Sequence, residues 1–126
     1  METLLVEDNL IFRQTIKQIL LSEFPSMRIR EASNGADAFE SMDNQAPDLI
    51  LMDIQLPGDN GLLLTRKLKD AFPHVVVIIL TEHDVPEYRD AAYRCGADHF
   101  LVKGSTRAIE ILNLVRSISS RKPPAV

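Results

Sequence analysis

The sequence predicts an α/β fold in which a five-stranded, doubly wound parallel sheet is flanked by five helices. Five short apolar runs alternate with amphipathic stretches along the chain, which gives a strand and a helix in strict succession. The runs at 49–52 and 75–80 are continuously apolar, as expected of parallel strands covered on both faces. For five strands connected in this way, the expected strand order is 2-1-3-4-5.

The first three strands are the apolar runs at 4–6, 27–29 and 49–52, each followed by a helix. The first helix has an apolar face made of Phe12, Ile16, Ile19 and Leu20. It ends at Phe24, because Pro25 pushes the residue before it out of the helical conformation. The second helix covers 36–42. The third has an apolar stripe of Leu64, Leu68 and Phe72 and ends before Pro73.

The last two strands are the runs at 75–80 and 100–102. The helix between them spans about 86–95 and ends at Gly96, a natural C-terminal stop. The fifth helix is predicted to begin at Ser105 or Thr106, since either residue is able to cap it. Its predicted apolar stripe consists of Ile109, Leu112, Val115 and Ile118.

The composition is that of one small cytoplasmic domain. Of the 126 residues, 45% are apolar and 25% are charged, values that exclude a disordered or fibrous chain. A single cysteine forms no internal disulfide, and neither a membrane-spanning run nor a signal peptide is recognisable. The net charge of −4 gives no general attraction to nucleic acid. We expect one domain over 1–121, with 122–126 as a tail or the start of a linker.

Polar side chains follow four of the five predicted strands at the point where each strand ends. Glu7 and Asp8 follow the first strand, and Asp53 follows the third. Thr81 ends the fourth strand and Lys103 follows the fifth. The carboxyl ends of parallel strands meet at one edge of the sheet, so we expect these five side chains to lie together.

Such a cluster predicts phosphoryl chemistry. Three carboxylates repel one another, and oxygen ligands of this kind favour Mg²⁺. A cation, the ammonium of Lys103 and the hydroxyl of Thr81 together neutralise a phosphoryl group. Asp53 is the best candidate for a nucleophile that forms an aspartyl-phosphate, because the central strand places it between the acidic pair and the lysine.

The sequence resembles the receiver domains of two-component response regulators. The resemblance covers essentially the whole chain and implies the flavodoxin-like receiver fold. The matching residues are Glu7-Asp8, Asp53 with 54–58, Asn60-Gly61, Thr81, 95–98 and 100–103.

The resemblance implies a role for each site residue. Asp53 accepts a phosphoryl group from a sensor histidine kinase or a phosphotransfer protein. Thr81 and Lys103 contact the phosphoryl oxygens, and Phe100 is the switch aromatic that turns inward when Thr81 moves toward the phosphate. The ligands of Mg²⁺, or of Mn²⁺ in its place, are Glu7, Asp8, Asp53 and the backbone carbonyl of Gln55.

Some residues depart from the family pattern, and others occupy positions that tune hydrolysis of the phosphoryl group. The residue after the switch threonine is usually small, and here it is Glu82, which bears on access to the site and on hydrolysis. Gln55 and His83 occupy positions that tune hydrolysis of the phosphoryl group. Lys103 is followed by Gly104 instead of proline, which is similar to receivers of the NarL/LuxR type.

The resemblance also implies partners. A phosphorylated receiver changes its surface at the fourth helix, fifth strand and fifth helix, where an output domain or a target protein reads it. A homodimer on phosphorylation is expected to form through the fourth and fifth helices, and direct binding of nucleic acid or membrane by this domain is not expected. The expected output is transcription regulation if the chain is part of a longer regulator. A single-domain receiver that acts on a protein target stays an alternative.

Two other functional classes fit these residues less well. The domain is not expected to be an enzyme beyond its own phosphoryl transfer and autodephosphorylation. Gln55 occupies the position where a haloacid-dehalogenase-type phosphatase needs a second carboxylate. Glu7 and Asp8 argue against a flavodoxin-like electron carrier, because they would repel the phosphate of its flavin. A degenerate receiver, a protein-interaction module that works without phosphate, stays open because of Glu82.

Overall fold

The computed structural model of the chain describes residues 1–43 and 45–121. In these residues the elements are, in chain order, β1 (Glu2–Val6), α1 (Leu10–Glu23), β2 (Arg28–Ala32), α2 (Gly35–Met42), β3 (Leu49–Met52), β4 (Gln55–Leu56), β5 (Asp59–Asn60), α3 (Gly61–Ala71), β6 (Val76–Thr81), α4 (Pro86–Arg94), β7 (His99–Val102) and α5 (Ala108–Arg121). The predicted tail, 122–126, lies outside the described residues. Among those described, no helix combines the length and the apolar character needed to cross a membrane.

Five strands form one parallel sheet in the order β2-β1-β3-β6-β7. The two-residue strands β4 and β5 pair antiparallel in a small hairpin that follows β3, with Gln55 opposite Asn60. Apart from this hairpin, which the sequence analysis did not predict, the strand order is the predicted 2-1-3-4-5. The predicted fold is therefore confirmed.

The sheet divides the apolar core into two clusters. One cluster packs the sheet against α2, α3 and α4, and the other packs it against α1 and α5. In β3, Ile50 and Met52 belong to the first cluster, and Leu49 and Leu51 to the second. Successive side chains of a strand point to opposite faces, so a strand covered on both faces has to be apolar throughout.

The second strand and the fifth helix differ most from their predicted bounds. The second strand is Arg28–Ala32 instead of 27–29, because it lies at the edge of the sheet and only its last residue is buried. The fifth helix begins at Ala108 instead of 105 or 106, because the amides of Ser105 and Thr106 both donate to the carbonyl of Val102 in a turn. Its stripe shifts accordingly: Ile111 is buried, whereas Ile109 is 49% exposed.

Candidate functional site

The predicted site residues line one open polar cavity of about 220 Å³ at the carboxyl edge of the sheet. The structure thus brings together the side chains that follow β1, β3, β6 and β7. The lining residues are Glu7, Asp8, Asn9, Asp53, Gln55, Thr81, Glu82, His83 and Lys103. Of the predicted site residues, only Phe100 lies outside this lining. The structure gives the places of these residues, and their roles stay predictions.

Hydrogen bonds between neighbouring strands fix the backbone of the main site residues. The amide of Glu7 donates to the carbonyl of Ala32 at 3.0 Å, and that of Asp53 donates to Val6 at 3.1 Å. The amide of Lys103 donates to the carbonyl of Thr81 at 2.8 Å. Each of the three residues thus extends the sheet by one further bond, which holds its side chain over the sheet edge.

Asn9 begins α1 directly after the acidic pair. Its side-chain oxygen accepts a hydrogen bond from the amide of Phe12 at 3.0 Å, the usual contact of a helix N-cap. Arg13 donates to the carbonyl of Glu7 at 2.7 Å. The turn that carries Glu7 and Asp8 is therefore tied to the first turn of the helix.

Lys103 joins two of the carboxylates in a nearly buried ion cluster. Its Nζ lies 2.5 Å from Oε1 of Glu7 and 3.4 Å from Oδ2 of Asp53. The three side chains are 10%, 7% and 11% exposed, so water screens their charges little. The other oxygen of Asp53, Oδ1, accepts a hydrogen bond from the amide of Ile54 at 2.8 Å. Asp53 is thus held on both oxygens.

Glu7 is the acid of the cluster whose charged form is least favoured. Burial raises the pKa of its carboxyl to about 7, and the neighbouring Asp53 acts in the same direction, while Lys103 opposes both. Oxygen Oε2 of Glu7 is buried and has no hydrogen-bond partner among the described residues. Carboxylate oxygens of Glu7, Asp8 and Asp53 lie within 4.8 Å of one another. An unpaired buried oxygen beside two further acids fits a small divalent cation.

The loop after Asp53 folds back onto the backbone of Asp53. The amide of Gly61 donates to the carbonyl of Ile54 at 2.7 Å, and a Cβ atom at position 61 would lie 1.9 Å from the carbonyl oxygen of Asp53. Only glycine fits there. Asn60 caps α3 by accepting from the amide of Leu62 at 2.8 Å. These contacts hold Gln55, the predicted carbonyl ligand, in the hairpin opposite Asn60.

The two predicted switch residues are both buried. Thr81 is fully buried, and its hydroxyl oxygen accepts a long 3.4 Å hydrogen bond from the amide of His83. Phe100 is 4% exposed, and the guanidinium of Arg89 lies 4.8 Å from the centre of its ring. The ring of Phe100 is therefore buried in this structure, beneath Arg89. Its movement with Thr81 stays a prediction.

Glu82 and His83 form the part of the cavity wall that belongs to the loop after β6. Glu82 is exposed, and His83 is half-buried with its ring edge-on to Tyr88 at 5.5 Å. The contact with Tyr88 orients the imidazole beside the cavity. Both residues are therefore placed where a molecule that enters the cavity passes them.

Two contacts at the site residues were missed by the sequence analysis. Phe12, placed there on the apolar face of the first helix, lies with its ring centre 4.2 Å from Nζ of Lys103. No local pattern relates Phe12 to Lys103 or Arg89 to Phe100, so the sequence carries no signal for either contact.

The family follows from comparison of the sequence. The sequence model of the response regulator receiver domain matches residues 3–116. The chain belongs to this family. Among curated proteins, the receiver is 33% identical over 102 residues to the transcriptional regulatory protein DegU of Brevibacillus brevis, covering 81% of the chain and 43% of DegU. It is 32% identical over 118 residues to the transcriptional activator protein ExaE of Pseudomonas putida, covering 94% of the chain and 55% of ExaE.

The fold of the receiver is also that of solved receiver structures. The signal receiver domain of the putative response regulator NarL from Mycobacterium tuberculosis superimposes with a TM-score of 0.84 and 26% identity, over 96% of this chain and 97% of that one. The predicted resemblance to NarL/LuxR-type receivers is therefore confirmed. The receiver spans about half the length of the curated relatives it matches.

Proposed function

We propose that this receiver is a phosphorylation switch in which Asp53 accepts a phosphoryl group from a sensor histidine kinase or a phosphotransfer protein. The observation that carries the proposal is the position of Asp53 in the polar cavity, beside Lys103 and the acidic pair. A carboxylate oxygen of Asp53 attacks phosphorus, the bond from phosphorus to the donor's histidine nitrogen breaks, and the electron pair stays on that nitrogen.

The other site residues prepare the cavity for the transferred group. Mg²⁺, or Mn²⁺ in its place, would be held by Glu7, Asp8, Asp53 and the backbone carbonyl of Gln55. Bound there, it would supply the positive charge that offsets the phosphoryl oxygens. Lys103 provides a second, permanent positive charge at 3.4 Å from Asp53, and the hydroxyl of Thr81 donates to a phosphoryl oxygen.

The same residues limit the chemistry to the chain's own aspartate. The domain catalyses its own phosphorylation and the hydrolysis of its aspartyl-phosphate, and it turns over no other substrate. Gln55, Glu82 and His83 line the cavity beside Asp53, where they set how readily water or a donor approaches. They are the residues that tune the lifetime of the phosphorylated state.

We further propose that the receiver regulates transcription from the cytoplasm through an output domain. Support comes from two relatives about twice its length, the transcriptional regulatory protein DegU and the transcriptional activator protein ExaE. Phosphorylation moves Thr81 and Phe100, and the change reaches the surface of α4, β7 and α5. An output domain, a target protein or a second receiver reads that surface.

The test is phosphorylation by acetyl phosphate with Mg²⁺, measured by intact mass for the wild type and for Asp53→Asn. An adduct on the wild type alone, dependent on Mg²⁺, supports the switch. No adduct on either protein, repeated in Glu82→Ala, supports the degenerate receiver instead. Lys103→Ala separates phosphorylation from signalling, because we expect it to uncouple the adduct from the change of surface. Full signalling by this variant would contradict the role given to Lys103.

A further inference from the structure

We infer that Phe12 is a positioning residue, and that the face of its ring holds the ammonium of Lys103 beside Asp53 during phosphoryl transfer. This inference rests on the proposed function of Asp53. It concerns a residue that touches neither the phosphoryl group nor the acids, and that acts only through Lys103.

The geometry is that of a cation–π contact. Nζ of Lys103 lies 4.2 Å from the centre of the Phe12 ring, well inside the roughly 6 Å over which such contacts act. The Lys103 side chain is 10% exposed, so the attraction is weakened little by water. Phe12, Glu7 and Asp53 are among the residues that line a small apolar pocket of about 20 Å³, room for roughly one water molecule.

The ring is held in place by the start of α1. The amide of Phe12 donates to the side chain of Asn9, the residue directly after the acidic pair. Below it, Phe12 packs on the cluster that joins α1 to α5. The position of Phe12 is therefore set by the helix cap and by core packing, and not by a contact with Lys103 alone.

The function of the ring follows from the two distances of Lys103. The ammonium is closer to Glu7, at 2.5 Å, than to Asp53, at 3.4 Å. When Glu7 serves as a cation ligand through its other oxygen, its negative charge is shared with the cation, so its attraction for the ammonium weakens. A ring neither ligates a metal nor takes up a proton, so its attraction for the ammonium persists. We therefore expect Phe12 to keep Lys103 within reach of a phosphoryl group on Asp53.

A purely apolar role for Phe12 makes a different prediction, because any side chain of that shape would then serve. The test replaces Phe12 with mono-, di- and trifluorophenylalanine, which weaken the attraction of the ring for a cation stepwise and keep its shape. Phe12→Leu completes the series, because it keeps an apolar side chain and removes the aromatic ring. The probe is acetyl phosphate with Mg²⁺, and the measurements are the rate of phosphorylation of Asp53 and the KM for the donor.

We expect the rate to fall stepwise with fluorination and to be reduced about 3- to 30-fold in the trifluoro protein, the range of a partly desolvated cation–π contact. The matched control is Phe24, at the other end of α1, whose ring lies 5.8 Å from the guanidinium of Arg116. Trifluorophenylalanine at position 24 should leave the rate unchanged. Equal rates across the Phe12 series, with Asp53 still phosphorylated, would overturn the inference.

A second measurement uses no phosphoryl donor and no metal. In the NMR spectrum of the unmodified chain, the Cε methylene and Nζ signals of Lys103 should show the upfield shift of protons over an aromatic ring, and Phe12→Leu should remove it. Absence of the shift would overturn the contact itself. A wild type that takes up no phosphoryl group but shows the shift would contradict the proposed function and leave the contact established.

Discussion

Replacing Gly61 with alanine tests whether the loop after Asp53, the proposed phosphoacceptor, is held as closely as the structure shows. The new Cβ would lie 1.9 Å from the carbonyl oxygen of Asp53, whereas Cβ contacts under 3.0 Å essentially never occur. The obstacle is backbone, so no side chain can turn away. The first turn of α3 or the segment of Asp53 and Ile54 has to move by about 1 Å, which is the difference between these two distances.

The size of the effect follows from two opposing contributions. Overpacking that forces the backbone to shift costs typically 1–3 kcal/mol and occasionally more. Alanine regains up to about 1 kcal/mol over glycine in helix propensity and unfolded-state entropy. Since the obstacle here is a carbonyl oxygen, we expect the unfolding free energy of Gly61→Ala to fall by about 2 kcal/mol, equivalent to a decrease in Tm of roughly 8 °C.

The assay is urea denaturation, followed by phosphorylation of Asp53 at a temperature where the variant is folded. We expect the rate to fall more than tenfold, because the displaced backbone is that of the acceptor itself. Gly104→Ala is the matched control: a Cβ there meets nothing within 4 Å, so its stability should match or slightly exceed that of the wild type. If Gly61→Ala were as stable and as active as this control, the close approach would be refuted.

Three further predictions concern charged side chains, two in the cavity and one over Phe100. Folding raises the pKa of Glu7 from 4.5 to about 7, so the metal-free protein should gain stability as the pH falls from above 7 toward 4.5 and lose it as the pH rises through 7. Glu7→Gln should flatten this dependence in urea titrations, and an unchanged slope would assign it to another group. Glu82→Ala should speed phosphorylation by acetyl phosphate about 2- to 5-fold at low salt, since it removes an exposed anion from the path of an anionic donor. Equal rates would show that Glu82 points away from that path. Arg89→Ala should lower the unfolding free energy by about 0.5–1 kcal/mol. The same loss in a Phe100→Leu background would show that the ring is not its partner.

The strands and the placing of the acids were predictable because both depend on local signals, and the strand order followed from the usual topology of doubly wound sheets. A strand covered on both faces is apolar throughout, and the polar residue that follows it has to lie at the sheet edge. The edge strand β2 gave a weaker signal, since Ala32 is its only buried residue. The hairpin of β4 and β5 gave none, because two-residue strands are too short to show a period.

The details of the site were not predictable, because they depend on contacts between residues far apart in the chain. From the sequence, Phe12 is predicted to be a core residue. Its contact with Lys103 exists only because the fold places the end of β7 against its ring. The requirement for glycine at position 61 appears only when the chain turns back onto Asp53. The shifted start of α5 has a local origin instead, since a turn hydrogen-bonded to Val102 takes up Ser105 and Thr106, which the sequence offered as helix caps.

The division of the core by the sheet has an evolutionary consequence. Side chains of the cluster under α4 and of the cluster under α1 and α5 lie on opposite faces of the sheet. Substitutions in the two clusters are separated by the backbone of the sheet, and their energies should add with little coupling. The packing around Ala92 under α4 can therefore change without retuning the packing around Ile16 and Val115 on the other face. Such independence lets α4 diverge among related receivers while the packing of α1 and α5 on the sheet is kept.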